Sequence, residues 1–558
     1  MKSPSALLSA LAAAAAWGMC VAACSPGEGP NAGTQTNWLR SCQHDTDCGE
    51  LRCICGACTR SCEGADTCTD LPEASCIAAE DTGTVALCAG RRPAEPGLCL
   101  VSCLLDDCPS GTSCVAGVCT PTPVPAVHVF VDDTQRYQSF VGLGASLAYI
   151  YDEVLRHPRK AELFDAMFAD SGLTVLRLRN DYVRGESEDL GSSSEVVSAA
   201  TERLGRPPTI LLNSASPPDA LKANGSIWCE GNPDTCTLTK LPDGSFDYLG
   251  LATHLRESLE AYARAGIEPQ YLSIQNNPNW VPPAGSFIEA CMFLPTEGTR
   301  TVTTSTGTTE VDYPGYAEAL EAVVAEIREL AAIPRITAPE TSGHAEVAEY
   351  LAALDMTNVG AIAHHLYGAD AKNLDLEALE ALGELGRAYQ RPLFQSEMHV
   401  EPLPTAVLLH AALAVEGASV YIQNGFLASA DSIEGDNGTL IMLTQDDFEL
   451  GDAYHVMRHY GGHVGSGWTR VAANADSNGV LASAWLSPDE EALAVVLTNP
   501  DPVAKAVEID LSQFAPMASM VIRSALGGTE RSASLGALPP DGILSLPGQS
   551  IATVVVER

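Results

Sequence analysis

Basic residues are scarce: 31 Lys and Arg stand against 71 Asp and Glu in 558 residues, a formal net charge of -40. A surface of that sign repels phosphate backbones, which excludes nucleic acid as a partner. Charge of either sign is itself thin at 18%, against 46% apolar residues, so disorder is excluded and a large core is available. Past residue 23 no apolar run is long enough to span a bilayer. Cysteine is nearly missing from most of the chain: of 19, fourteen fall between Cys42 and Cys119 and only three follow. That scarcity sets a small disulfide-type module apart from a large, cysteine-poor body.

The first residues read as an export signal. Lys2 supplies a minimal charged start, and Ala6 to Ala23 is apolar apart from small residues. The run is Ala-rich and of marginal length, which favours a cleaved signal peptide over a transmembrane anchor. Val21-Ala22-Ala23-Cys24 resembles the bacterial lipobox, which places lipid on Cys24 and makes it residue one. The expectation is a signal peptide over 1–23, a flexible tether over 24–41, and an exported protein held at the bacterial outer membrane or cell surface. Contact with a membrane is expected through the lipid on Cys24 alone.

Residues 42–119 form the cysteine-rich module. Asp47-Cys48…Cys53…Cys58 and Asp107-Cys108…Cys114…Cys119 look like two copies of one unit, each with a Gly (Gly56, Gly117) two places before its last cysteine. Export favours disulfides over metal, because only Cys55-Gly56-Ala57-Cys58 has zinc-type spacing. The pairing is not readable from spacing. A stiff Pro-rich hinge over 120–126 closes the module.

From Val127 the texture changes. Eight short apolar runs alternate with helical patterns: Phe140–Ala145, Thr174–Arg179, Thr209–Ser214, Gln270–Gln275, Arg335–Pro339, Ala361–Tyr367, Pro392–Glu397 and Ser419–Asn424. One helix carries Tyr316, Leu320, Val323, Ile327 and Leu330 on one face, and Ser192-Ser193-Ser194-Glu195 reads as a capping box before another. The fold class is α/β, a (β/α)8 barrel over 127–467 followed by a β-sandwich over 468–558. Val127–Val131 could join the sandwich as an extra strand.

Chemistry in such barrels sits where the strands end. Those ends carry Arg177 to Asp181, Gln275 to Trp280, Glu340, His364 to Tyr367, Ser396 to His399, and Gln423-Asn424. Amides, His, Tyr and Trp with few basic groups suit a neutral sugar better than a phosphate ester. A metal at His364 and His365 is disfavoured because strand neighbours point to opposite faces. No metal or cofactor is expected.

Several of these pieces resemble glycoside hydrolase family 30, whose members cleave β-linked glycans. They are Gly142-Leu143-Gly144-Ala145-Ser146, Ser216-Pro217-Pro218 with Lys222 and Asn224-Gly225, Ser273-Ile274-Gln275-Asn276 with Pro278, and His365-Leu366-Tyr367. Val480 to Trp485 and Leu546 to Ser550 resemble the family's side sandwich, and the first 126 residues are not covered. The resemblance implies a carbohydrate substrate and a retaining mechanism with Glu397 as nucleophile. Asn276 is expected on the sugar, with Arg177, His365, Tyr367, Trp280 and Asn424 as further substrate-binding residues. Asn277 stands where the family keeps its acid/base Glu. Ala215 and Asn424 stand where it keeps Trp. An amide neither protonates a leaving oxygen nor deprotonates water, so the acid/base function is impaired or relocated, with Glu289 and Glu340 as candidate substitutes. The alternative is a catalytically inactive surface protein that binds carbohydrate. Cys229 and Cys236 are expected to form a bridge, leaving Cys291 as an odd thiol.

Overall fold

The computed structural model describes most of residues 38–121 and nearly all of 127–558, leaving out 185–189, 305–306, 430–437, 478 and 540–541. Cys24, the signal and tether segments and residues 122–126 lie outside the described residues. The chain divides into two compact units, Met1–Val124 and Pro125–Arg558. No helix among the described residues is long and apolar enough to cross a membrane.

Among its described residues the first unit holds three two-stranded hairpins rather than the expected two copies: Arg52–Ile54 with Ala57–Thr59, Ser75–Ala78 with Gly97–Leu100, and Thr112–Val115 with Val118–Pro121. In each, two cysteines face one another across the ladder without bonding to each other: Cys53 and Cys58, Cys76 and Cys99, Cys114 and Cys119. Cys53, Cys58, Cys76, Cys99 and Cys119 bond instead to cysteines upstream, as Cys42–Cys53, Cys48–Cys58, Cys62–Cys76, Cys68–Cys99 and Cys108–Cys119. The 3-10 turns Asp45–Cys48 and Ala65–Cys68 deliver Cys48 and Cys68 in the same way. The middle copy is hidden in the sequence because the segment between its strands is long. Its small apolar clusters consist largely of cysteines with Leu39, Leu51, Leu98 and Leu100, so covalent ties take the place of a large core.

The second unit is a closed barrel of eight parallel strands in sequential order. These are β1 (Gly142–Leu147), β2 (Val175–Arg179), β3 (Thr209–Asn213), β4 (Tyr271–Ser273), β5 (Arg335–Thr341), β6 (Val359–His365), β7 (Leu393–Met398) and β8 (Val420–Gln423). Strands of a parallel barrel are covered on both faces, which explains their almost continuous apolar runs. Val175, Leu211, Tyr271, Ala361, Ala363, Phe394, Val420 and Ile422 fill the interior. Leu176, Leu178, Ile210, Leu212, Leu272, Ile336 and Ile362 instead join the large cluster under the surrounding helices.

Local signals set the helices with two exceptions. Helix Tyr316–Ile327 buries Tyr316, Ala319, Leu320, Val323 and Ile327 at helical spacing, but ends before Leu330. Ser192 to Ser194 make no capping box: the helix Gly191–Leu204 starts upstream of them, without a side-chain cap. Ser194 Oγ donates to the Ala265 carbonyl at 2.8 Å instead, tying this helix to the next αβ unit.

The nine strands of the final domain are hydrogen-bonded into one continuous mixed sheet. Strand Val127–Ser139 lies within it, antiparallel to Thr469–Ala475 and parallel to Lys505–Asp510. Val521 and Leu544, from near its two ends, share one apolar cluster, so the sheet curls around its own core. Trp485, Ala494, Val496 and Ile551 face the other way and join the barrel's cluster, with the Trp485 ring 5.1 Å from that of Phe140.

Candidate active site

Strict alternation along β7 would put Phe394, Ser396 and Met398 inside the barrel and Glu397 outside. The pairing of β7 with β8 slips between Gln395 and Met398, and that of β6 with β7 slips between His364 and His365. Gln395 holds the irregularity: its Nε2 donates to the Glu397 carbonyl at 2.6 Å, and its Oε1 accepts from the Ile422 amide. Such bulges re-aim side chains. Here they turn Glu397 toward Arg177, which follows the inward alternation of β2.

Arg177 is the hub. Its Nη1 lies 2.8 Å from Glu397 Oε2, and its Nη2 donates to Asn276 Oδ1 at 2.7 Å. Nη2 also lies 3.7 Å from Oε2 of Glu340, a carboxylate with no exposed surface. Two buried carboxylates therefore share one guanidinium. Asn213 Nδ2 donates to Glu340 Oε2 at 2.7 Å, while Glu340 Oε1 has no partner among the described residues.

Glu397 also accepts from the Tyr367 hydroxyl at 3.0 Å and from Asn424 Nδ2 at 3.4 Å. Burial pushes its carboxyl upward, but the Arg177 charge and the hydrogen bonds from Tyr367 and Arg177 outweigh it and hold the group below its ordinary value. Burial and the Glu397 charge raise Tyr367, which keeps it a neutral donor. His365 has no exposed surface, neither ring nitrogen has a partner among the described residues, and burial pushes it down to about 3. It is a neutral imidazole beside an anion. His364 points the other way and pairs with buried Glu416 at 2.8 Å.

Asn277 sits at the turn after β4 with φ 46°, and its amide donates to the Glu340 carbonyl at 3.0 Å. Glu340 itself has φ 60°. Both are left-handed conformations that side chains rarely adopt, and such strain gathers where a structure presents groups for function. Asn277 Oδ1 is buried without a partner among the described residues. Trp280 is half-buried and closes this turn, its amide donating to the Asn277 carbonyl at 3.1 Å.

Glu289 belongs to a different group. Both its oxygens are taken by Arg179, at 3.0 Å and 2.5 Å, and Arg179 also pairs with Asp181. The Tyr149 ring covers that guanidinium at 4.8 Å and is 69% exposed, with φ 63°. The Trp228 and Phe287 rings meet edge-on at 5.7 Å. Lys222 is buried; its Nζ donates to the Ala290 carbonyl and lies 3.5 Å from Ser216 Oγ, pinning these loops together. Cys229 and Cys236 are bonded, and Cys291 is a buried thiol pushed up to about 12 by burial.

The structure thus brings together Glu397, Arg177, Asn276, Tyr367, Asn424, His365 and Glu340. It places Asn277 directly above Glu340 in the chain's hydrogen bonding and leaves Glu289 with Arg179. Sequence reasoning passed over Asn213 and Ser146, whose Oγ accepts from Arg177 at 3.4 Å. Both lie near the ends of barrel strands, so the rule that found the others would have found them. Chemically, the cluster offers the ionised Glu397 carboxylate paired with Arg177, beside a second carboxyl and among hydroxyl and amide groups, a setting for attack on an uncharged, hydroxylated ligand.

No protein-family model and no curated protein matches the chain. Among solved structures, the fold is that of family 30 glycoside hydrolase barrels. A family 30 subfamily 8 xylanase from Clostridium acetobutylicum is 19% identical with a TM-score of 0.57, over 77% of this chain and 100% of that one. The catalytic domain of xylanase C from Talaromyces cellulolyticus, also of family 30, is 15% identical with a TM-score of 0.59 over the same shares. An endo-β1,6-glucanase is 13% identical with a TM-score of 0.55, over 77% of this chain and 94% of that one.

Proposed function

We propose that this protein acts on a β-linked polysaccharide or glycoside as a retaining glycosidase, with Glu397 as nucleophile and acid/base function impaired or relocated. The observation that carries the reading is the Glu397 carboxylate itself. It is buried, ionised by Arg177, and oriented by Tyr367 and Asn424 at the end of a barrel strand. An ionised carboxylate held in place is what attack on an anomeric carbon needs. Sugar hydroxyls suit the surrounding amides better than an anionic ester does.

Retention by two carboxyls requires a second group that gives and takes a proton. Asn277 has none to offer. Glu340 supports the relocated version, since it is the second carboxyl in contact with Arg177. Its full burial supports the impaired version, and the same observation favours the second reading, a surface protein that binds glycan without cleaving it.

An aryl glycoside with a good leaving group separates these. It needs no protonation to leave, so Glu397 can be glycosylated, while release of the glycosyl-enzyme needs a base to activate water. Impaired chemistry gives a burst followed by slow turnover that azide accelerates, and Asn277→Glu restores turnover by roughly 10²–10⁴-fold. Relocated chemistry gives steady turnover without an azide effect, abolished in Glu340→Gln. Glycan binding with no burst establishes the binding protein instead. Steady hydrolysis that survives Glu397→Gln removes the nucleophile assignment.

We further propose that the protein is exported and carries lipid on Cys24, which the disulfide-rich unit supports because disulfides persist in oxidising compartments. Mass spectrometry of the mature N-terminus tests this, and an unmodified Cys24 refutes it.

A further inference from the structure

At the opposite end of the barrel, where β7 begins, a cleft of about 460 Å³ opens between the barrel and the nine-stranded sheet. Four arginines line it, in a chain with only 31 basic residues and a net charge of -40. Arg136 is matched by Glu490 at 2.7 Å. The other three, Arg387, Arg391 and Arg470, have no carboxylate partner among the described residues.

Their settings differ in a useful way. Arg391 donates to backbone carbonyls only, those of Val359, Met356 and Gln390, which fixes its guanidinium without neutralising it. Arg470 lies flat on the Tyr137 ring at 3.7 Å, and its Nε donates to Gln138 Oε1 at 2.9 Å. The Gln138 amide is itself anchored, its Nε2 donating to the Leu413 and Ala418 carbonyls. Burial lowers Arg470 to about 10, the mark of a cation short of both water and counter-charge. Arg387, exposed at the end of helix Leu376–Tyr389, completes the ring. The one lining carboxylate left, Glu416, is buried against His364 at 2.8 Å.

A fixed, partly desolvated cation without a counter-charge costs free energy, and an oxyanion removes that cost by accepting paired N–H donors. We propose that this cleft is a binding site for a small oxyanion, a phosphate, sulfate or carboxylate group seated between Arg387, Arg391 and Arg470. The site is separate from the Glu397 cluster and does not rest on the catalytic reading. Its ligand is either a free ion or the same group carried on a sugar.

Titration calorimetry and thermal shift on the intact protein test this, with inorganic phosphate, sulfate, glucuronate, glucose, and chloride at matched ionic strength. Saturable binding and a raised melting temperature are expected for the oxyanions, with none for chloride or glucose. Tighter binding of glucuronate than phosphate marks a sugar-borne group; the reverse order marks a free ion. Arg470→Gln and Arg387→Gln are each expected to weaken binding by about tenfold or more, the loss of one charge-assisted pair. Arg387→Gln touches an exposed side chain, so it remains informative if Arg470→Gln does not fold. An equal response to chloride, or unchanged binding in folded Arg387→Gln, overturns the site.

Discussion

Arg177 serves two carboxylates, and the consequences fall on Glu397. Because the Glu397 carboxyl is held below its ordinary value of 4.5, it stays ionised until the pH drops beneath that value. The acid limb of the burst rate with an aryl glycoside is therefore expected below 4.5. A stability contribution from the same group is present above the ordinary range and lost as pH falls through the depressed value. Tyr367→Phe removes one donor to the charged group, worth roughly 1.5–3 kcal/mol. It should slow the burst by about tenfold or more and move its acid limb upward. Glu340→Gln frees Arg177 from its second carboxylate, so the limb should move downward; an unmoved limb would show that Glu340 does not compete for the guanidinium. Much of this cluster was legible at single residues, since Arg177, Asn276, Tyr367, Glu397 and Asn424 all end apolar runs. The sharing of Arg177 was not, because the left-handed backbone at Glu340 and the slipped pairing of β7 leave no mark in composition or periodicity.

Between elements, close approach decides more than propensity. A Cβ added at Gly144 would lie 2.5 Å from the Val175 carbonyl, so β1 and β2 pack at a distance only glycine permits. Gly144→Ala is expected to destabilise the barrel by roughly 1–3 kcal/mol, read as a lower urea midpoint with an unchanged slope. The eight strands were readable because burial on both faces makes them apolar throughout. The serine run at 192–194 misled because serine caps helices in general, while here Ser193 is buried within the helix and Ser194 reaches a neighbouring carbonyl. The middle disulfide hairpin escaped for a similar reason: Cys76 and Cys99 face each other across a ladder whose strands are far apart in sequence.

Over the whole molecule, covalent and non-covalent stability are divided between the two units. Reductant should unfold the first unit while leaving the second's near-ultraviolet dichroism largely intact, since the second contains a single described disulfide, Cys229–Cys236. The second unit resists division at residue 467. Strand Val127–Ser139 finds its hydrogen-bond partners in Thr469–Ala475 and Lys505–Asp510, and Trp485 packs on Phe140. A chain ending at 467 is expected to be insoluble, whereas 127–558 should fold; a soluble, monomeric 127–467 would contradict this. The interlocking also has a timetable. Some 330 residues separate Ser139 from Thr469, so at about 5–20 residues per second the ribosome needs tens of seconds to supply the strand's partner. Through that interval a thirteen-residue β-forming segment has both edges open to any other chain, and the nascent protein depends on whatever shields it until its last ninety residues emerge.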